Sequence, residues 1–350
     1  MPLPDALREL LTAHGPSGYE AAPAAVWRRL AGAFAEVEGD VVGTSTARVK
    51  GTGEGPTVAV VGHIDEIGLI VTHIDDNGFL WISAFGWDPQ VLVGQRVAVL
   101  TRDGAVPGIV GRKPIHLLTA DERKKVSELK ELHIDIGAKD GDEARRMARV
   151  GDVAVIAGDP VELPNDRVVA RALDNRLGCF VALEAARLVA EAGGAPGDVV
   201  AVAAAQEETT FAGSKTMAYR VQPDVAIVVD VTHATDVPGV EERQHGSHPL
   251  GSGPVLGRGQ SLHPHVFELL HDTAEREKIA ITVEASDRWT YTDADAISLS
   301  RAGVPCGLVQ LPLRYMHSPV EMVQLSDVHD AARIVAAFAL ALAPDTDFSR

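Results

Sequence analysis

The chain has 350 residues, 46% of them hydrophobic and 23% charged, which suits a globular protein of one large or two moderate domains. Its net charge of −17 argues against nucleic acid or an anionic membrane as partner. The apolar stretch at 334–343 is too short to span a bilayer, and residues 1–11 lack an export-signal pattern, so a cytoplasmic location is expected. Cys179 and Cys306 lie far apart in apolar context and read as reduced core residues.

In chain order, amphipathic stretches predict helices at 3–13 and 22–34, followed by a buried strand at 57–62. Residues 69–161 read differently. Short β-like segments at 91–100, 106–110 and 153–157 are broken by glycines and joined by one charged helical piece at 121–132. Such a block predicts a β-rich domain inserted into a main domain made of residues 1–68 and 162–350. Beyond it, helices at 175–192, 264–277, 294–301 and 326–342 alternate with strands at 199–205, 225–229 and 307–311, as in an α/β fold. The glycine-rich stretch 251–259 matches neither a Walker loop nor a dinucleotide fingerprint, and a mobile surface loop is expected there.

Isolated polar residues end the apolar runs. His63 and Asp65 follow the run at 57–62, Glu207 and Glu208 follow 199–205, Asp230 ends 225–229, and His317 comes shortly after 307–311. Open α/β sheets bind ligands beyond the carboxyl ends of their strands. Asp174, just ahead of a helix, completes the set. Imidazole and carboxylate without thiolate suit zinc, cobalt or manganese. Five candidates exceed the three protein ligands of a single catalytic zinc, so two bridged ions are expected. The division is His63, Asp174 and Asp230 on one ion, and Asp174, Glu208 and His317 on the other. Asp65 would accept the other N–H of His63. Glu207, free of metal, would act as general base toward water.

Each residue alone has a plainer reading. Asp174 is a possible N-cap, Asp230 an Asx-turn residue, the glutamate pair a solvated turn, and His317 a loop histidine. His-x-Asp recurs at His73 and His133, so the motif by itself is weak. His245, His248, His263 and His265 read as surface histidines of a polar loop. The metal reading rests on five weak signals sharing one structural position. Neither a His-Glu-x-x-His helix nor a Gly-x-Ser-x-Gly elbow is present.

Gly15-Pro16-Ser17-Gly18-Tyr19-Glu20, Gly62-His63-Ile64-Asp65-Glu66-Ile67-Gly68, Ala172-Leu173-Asp174-Asn175-Arg176, Gln206-Glu207-Glu208 and Tyr315-Met316-His317-Ser318-Pro319 together resemble the motifs of the M42 metallo-aminopeptidases. Asp236-Val237-Pro238-Gly239, Thr292-Asp293-Ala294 and Ile134-Asp135-Ile136-Gly137-Ala138 extend the resemblance nearly end to end. It implies a three-layer α/β/α peptidase domain with a mixed central sheet. It also implies that the β-rich insert, barrel- or PDZ-like, is a dimerisation domain. Two divalent ions per subunit, Asp174 bridging them and Glu207 as base follow from it as well. So do peptide substrates and self-association, as dimers or as dodecamers around a chamber. One segment departs: the family's usual Val-Gly-Leu-Arg-Gly after the glutamate pair is here Thr209-Thr210-Phe211-Ala212-Gly213. That change motivates an alternative, a di-metal deacylase of small N-acyl amino acids. A non-catalytic metal-binding scaffold is opposed by retention of every ligand and of the base, and a metal-independent glycosidase by the commitment of the carboxylates to metals.

Overall fold

The computed structural model describes residues 1–349, and the chain divides into two compact units. Among the described residues the first comprises 1–65, 160–316 and those from 320 onward, and the second 66–159 with 317–319. The first unit opens with α1 (Asp5–Thr12), α2 (Ala21–Ala31), β1 (Glu36–Gly39), β2 (Ser45–Val49) and β3 (Val58–His63). The second holds β4 (Leu69–Ile74), β5 (Leu80–Ala84), α3 (Pro89–Leu92), β6 (Arg96–Thr101), β7 (Gly104–Gly111), β8 (His133–Asp135), α4 (Gly141–Met147) and β9 (Val153–Ile156). The first then resumes with β10 (Val161–Leu163), β11 (Arg167–Ala170), α5 (Leu173–Glu191), β12 (Val199–Ala204), α6 (Glu207–Thr210), α7 (Ala212–Val221), β13 (Val225–His233) and α8 (Glu242–His245). It ends with β14 (Val255–Gly259), α9 (Pro264–Glu277), β15 (Thr282–Ser286), α10 (Asp293–Ile297), β16 (Cys306–Leu313), β17 (Glu321–Gln324) and α11 (Leu325–Ala341).

The first unit is built on an eight-stranded mixed sheet in the order β1-β2-β12-β3-β13-β16-β14-β15. Its centre is parallel, from β12 through β3 and β13 to β16. These strands are apolar on both faces because both faces are covered. Val58, Val60, Ala201, Ile227, Val229 and Val309 share one core with α1, α5, α9 and α11. The alternate residues Ala59, Val61, Val202, Ala226, Val228 and Leu308 share another with Met217 of α7 and Ala294 and Ile297 of α10. Three layers follow from that period-two alternation. A small sheet, β10-β11-β17, completes the unit.

The second unit closes an antiparallel barrel in the order β4-β5-β8-β7-β6-β9. Leu69, Val71, Leu80, Val97, Val99, Val110, Ile134 and Ile156 fill its interior. His317 and its two followers group with this unit, and a side chain at Gly86 (φ 73°) would meet Ile67 at 2.4 Å and the His317 Nδ1 at 3.4 Å.

Several expectations need correction. Residues 121–132 form no continuous helix but two single 3-10 turns, Glu122–Lys124 and Leu129–Glu131, because few of their side chains find a face to bury. The strand expected from residue 91 begins only at Arg96, after the short helix α3. The glycine-rich stretch is not a free loop. Asp327 accepts the N–H groups of Gly251 and Gly253 at 2.8 and 3.1 Å, and the chain then runs into β14 of the central sheet. His248 and His263 are buried rather than surface histidines.

One close approach sets the geometry of the sheet centre. A Cβ on Gly62 would lie 2.2 Å from the backbone carbon of Gly178 in α5, and one on Gly178 would lie 2.4 Å from the carbonyl oxygen of Val229. Only paired glycines let the start of α5 rest directly on β3 and β13. Gly62→Ala is therefore expected to destabilise the protein by about 3 kcal/mol through overpacking. Urea denaturation measures this, and an unchanged midpoint would show that α5 can shift freely.

Candidate metal centre

His63 is the last residue of β3, and β12 runs parallel beside it with Ala204 opposite His63. On the other side β13 pairs Val228 with Val61, so Asp230 falls level with His63 and on the same sheet face. Asp230 does not end its strand as expected; β13 continues to His233. Asp174 arrives from the start of α5, in a turn that begins with Ala172 at φ 57°. Asn175 fixes that turn. Its Nδ2 donates to the Val229 carbonyl and its Oδ1 accepts the Gly178 N–H, both at 2.8 Å. The Asp174 N–H donates to Glu321 at 3.2 Å.

The glutamate pair sits differently from the expected strand end. β12 stops at Ala204, Gln206 adopts a left-handed φ of 59°, and Glu207 and Glu208 open the single helical turn α6. Asp65 organises this turn. Its two carboxylate oxygens accept the N–H groups of Glu207 at 3.0 Å and Glu208 at 3.1 Å. The carboxylate also lies 3.4 Å from His63 Nδ1, the contact expected from the sequence, but its shorter bonds go to the glutamate backbone. His63 Nε2 stands 3.1 Å from Asp174 Oδ1 and 3.7 Å from Glu207 Oε2.

Two site residues went unassigned from sequence. Glu20, buried, accepts the N–H groups of Gly18 at 2.6 Å and Gln206 at 3.1 Å, tying the N-terminal loop to the residue before Glu207. Ser17 and Thr209 add a hydroxyl–hydroxyl bond of 2.8 Å. The Gly15–Glu20 motif was visible, but nothing in it named Glu20 as a clamp on a segment so far away in sequence. Asp293, only 1% exposed, acts electrostatically on Glu207 and Asp230 from the start of α10. Its signal was the Thr292-Asp293-Ala294 motif alone.

The electrostatics are dominated by burial. Burial pushes the Asp230 carboxyl well above its usual range, and neighbouring Asp174 and Asp293 push it further against the pull of His63. The Glu207 carboxyl is raised for the same reason, with Asp230, Asp293 and Glu208 adding to the shift. For His63 burial opposes the charge, yet Glu207, Asp174 and Asp65 outweigh it and hold the imidazole well above its usual pKa. Five buried carboxylates thus surround one imidazole. Buried carboxylates in such excess are costly without a cation. Ligating atoms of His63, Asp174 and Asp230 lie within 4.8 Å of one another, and an oxygen-and-imidazole set fits a divalent ion of borderline softness. Both cysteines are buried and free, and burial drives their thiols far up, which removes them as ligands or nucleophiles.

Residues 43–334 match the family model described as M42 glutamyl aminopeptidase. A lysyl aminopeptidase of Pyrococcus furiosus is 32% identical over 88% of this chain and 88% of its own length. The crystal structure of a TET aminopeptidase from a marine-sediment Thaumarchaeota archaeon superposes with a TM-score of 0.91 at 36% identity, covering 97% of this chain and 96% of that one. The TET1 peptidase of Pyrococcus horikoshii, which can assemble into a tetrahedron or a large octahedral shell, superposes at 0.85 with 29% identity over 97% and 99% of the two chains. Fold and relatives together define a peptidase that acts as an aminopeptidase. The chain belongs to the M42 peptidase family.

Glu20 gives the site a pH signature. Burial raises its carboxyl from an ordinary 4.5 to about 7. The folded state then keeps a proton that the unfolded chain releases, so stability is full below pH ~4.5 and falls as pH rises to about 7. Glu20→Gln removes that slope. Its stability relative to wild type should improve by about 3 kcal/mol between those limits, read from urea midpoints. A difference independent of pH would show that Glu20 does not carry the proton.

Proposed function

We propose that this aminopeptidase removes the N-terminal residue of peptides using two divalent ions, zinc, cobalt or manganese, with Glu207 as general base. His63, Asp174 and Asp230 would hold one ion. Asp174, Glu208 and His317, which follows β16 by four residues, would hold the other. The observation that carries this reading is the excess of buried carboxylate around His63, with Glu207 beside the ligand set. When bound, the ions supply Lewis acidity toward the scissile carbonyl and acidify water.

The chain's own residues do the rest. Asp174 is held by its backbone through Glu321 and by the Asn175 bonds, so its carboxylate needs no reorganisation to face His63. Asp65 aims Glu207 by gripping its backbone N–H. Glu207 Oε2 takes a proton from water and returns it to the leaving amine. Burial would make that carboxylate a strong base where the charge of bound ions keeps it ionised, and the site's low exposure limits competing solvent.

Glu207→Gln should keep the protein's metal content and lower turnover of aminoacyl-nitroanilides roughly 10²–10⁴-fold. Near-normal turnover in that variant would remove Glu207 from the role. Dialysis against a chelator should lower the melting temperature, and zinc, cobalt or manganese should restore it, because an ion bound only by the folded state stabilises it. A panel of N-acyl amino acids separates this reading from the deacylase alternative: cleavage confined to blocked amines would favour the latter.

The barrel formed within residues 69–161 would be the dimerisation domain, and the assembly would work in the cytoplasm. Support comes from apolar side chains exposed on that unit, Ile109, Ile115, Leu117 and Val126. Replacing Ile115 and Leu117 together with Asp should shift the protein to a smaller species in size-exclusion light scattering. An unchanged mass would place the interface elsewhere.

A further inference from the structure

A pocket of about 600 Å³ opens beside the glutamate turn, lined by Phe211, Lys215, Trp289, Tyr291, Asp295 and Leu299. Phe211 directly follows α6, one helical turn or about 5.4 Å of rise beyond Glu207. Its left-handed φ of 55° lies between α6 and α7. The outer wall is unusually apolar for a surface: Tyr291 is 82% exposed and Leu299 73%.

Lys215 is the charged group of the pocket that is left without a counterion. Its Nζ donates to the Thr210 carbonyl at 2.8 Å and lies 5.8 Å from the centre of the Phe211 ring. It makes no ion pair among the described residues, although the chain carries a net charge of −17. The carboxylate of Asp295 is already taken, accepting from the N–H and hydroxyl of Thr290 and the N–H of Tyr291 at 2.8–3.1 Å. The pocket therefore presents one anchored ammonium over aromatic walls.

We infer that this pocket is a subsite for the leaving part of the peptide: it takes an apolar residue two or three positions beyond the cut bond, with the peptide's C-terminal carboxylate on Lys215. The inference rests on the general-base position of Glu207 proposed above. An extended peptide advances about 3.3 Å per residue, so the second or third residue past the bond reaches the wall that begins one helical turn from Glu207. The volume exceeds that of one side chain and lies in the ordinary range for ligand pockets. Charge fixes the direction. The substrate's N-terminal ammonium is repelled by Lys215, whereas the carboxylate at the other end is attracted.

The test uses the full-length, metal-loaded protein with Leu-Gly-Gly-Phe, its C-terminal amide, and Leu-Gly-Gly-Gly. Wild type should favour the acid over the amide about fivefold in kcat/KM, the worth of one exposed ion pair. Lys215→Ala should bring the acid down to the level of the amide. Leu299→Ala, at an exposed position where folding is not at risk, should narrow the preference for the Phe peptide over the Gly peptide. Calorimetric binding of acid and amide to Glu207→Gln, with and without Lys215→Ala, reads the same discrimination without turnover. It separates a failed subsite from a failed assignment of the base. Equal affinity for acid and amide in Glu207→Gln with Lys215 intact would overturn the inference. So would a Lys215→Ala loss confined to substrates with an N-terminal Glu, which would make this the pocket of the first residue. A change of oligomer size in Leu299→Ala would also overturn it, assigning the patch to a second copy of the chain.

Discussion

The main unit depends on holding one imidazole among more buried carboxylates than it can neutralise. His63 meets Asp65, Asp174 and Glu207 directly, and the charges of Asp230 and Asp293 act on the same ring. Left to itself such a cluster expels charge, which is why the Asp230 and Glu207 carboxyls shift toward their neutral forms. A stable fold that tolerates this must obtain a compensating cation or a surrounding framework stiff enough to keep the groups together. The framework is visible. Three parallel strands bring His63, the glutamate turn and Asp230 to one edge, and backbone hydrogen bonds rather than side-chain flexibility aim each of them.

That stiffness has a definite source. The Gly62–Gly178 contact lets α5 lie closer to β3 than side chains would permit, and Asn175 then bonds to the carbonyl of Val229, the residue before Asp230. Asp174 and Asp230 therefore come from different elements but share one anchor. Glu20 does the corresponding work on the other flank, where it holds Gln206 just before the glutamate pair. Arg176, buried at the start of α5, donates to the Leu10 and Ala13 carbonyls at 2.7 and 3.0 Å, so the N-terminal helix is fastened to the helix that presents Asp174.

Much of this was legible in sequence because buried parallel strands are written as unbroken apolar runs, and a polar residue at the end of such a run stands out. His63 and Glu207 stand out that way. Asp230 stands out too, although β13 runs past it. The carboxylate is an interruption within the strand, and apolar patterning alone reads an interruption as an end. Edge strands escaped notice for a related reason. In β1 and β15 the residues are mostly exposed or half-buried, so no apolar run announces them. Glu20 and Asp293 were illegible as site residues because their roles depend on contacts far away in sequence. The charged stretch at 121–132 misled in the opposite sense, since helix-favouring residues form a lasting helix only when tertiary packing rewards one face.

The same logic bears on the segment after the glutamate pair. α6 is a single turn, too short to be stable alone, and it survives because Asp65 takes both of its leading N–H groups while the hydroxyls of Ser17 and Thr209 share a hydrogen bond. Phe211, which joins α6 to α7, and Lys215, in the first turn of α7, thus follow a turn held in place by Asp65. The bonds that position the Glu207 backbone come from Asp65, whereas the Phe211 and Lys215 side chains line the pocket. A substitution of either side chain leaves the bonds between Asp65 and the glutamate turn in place.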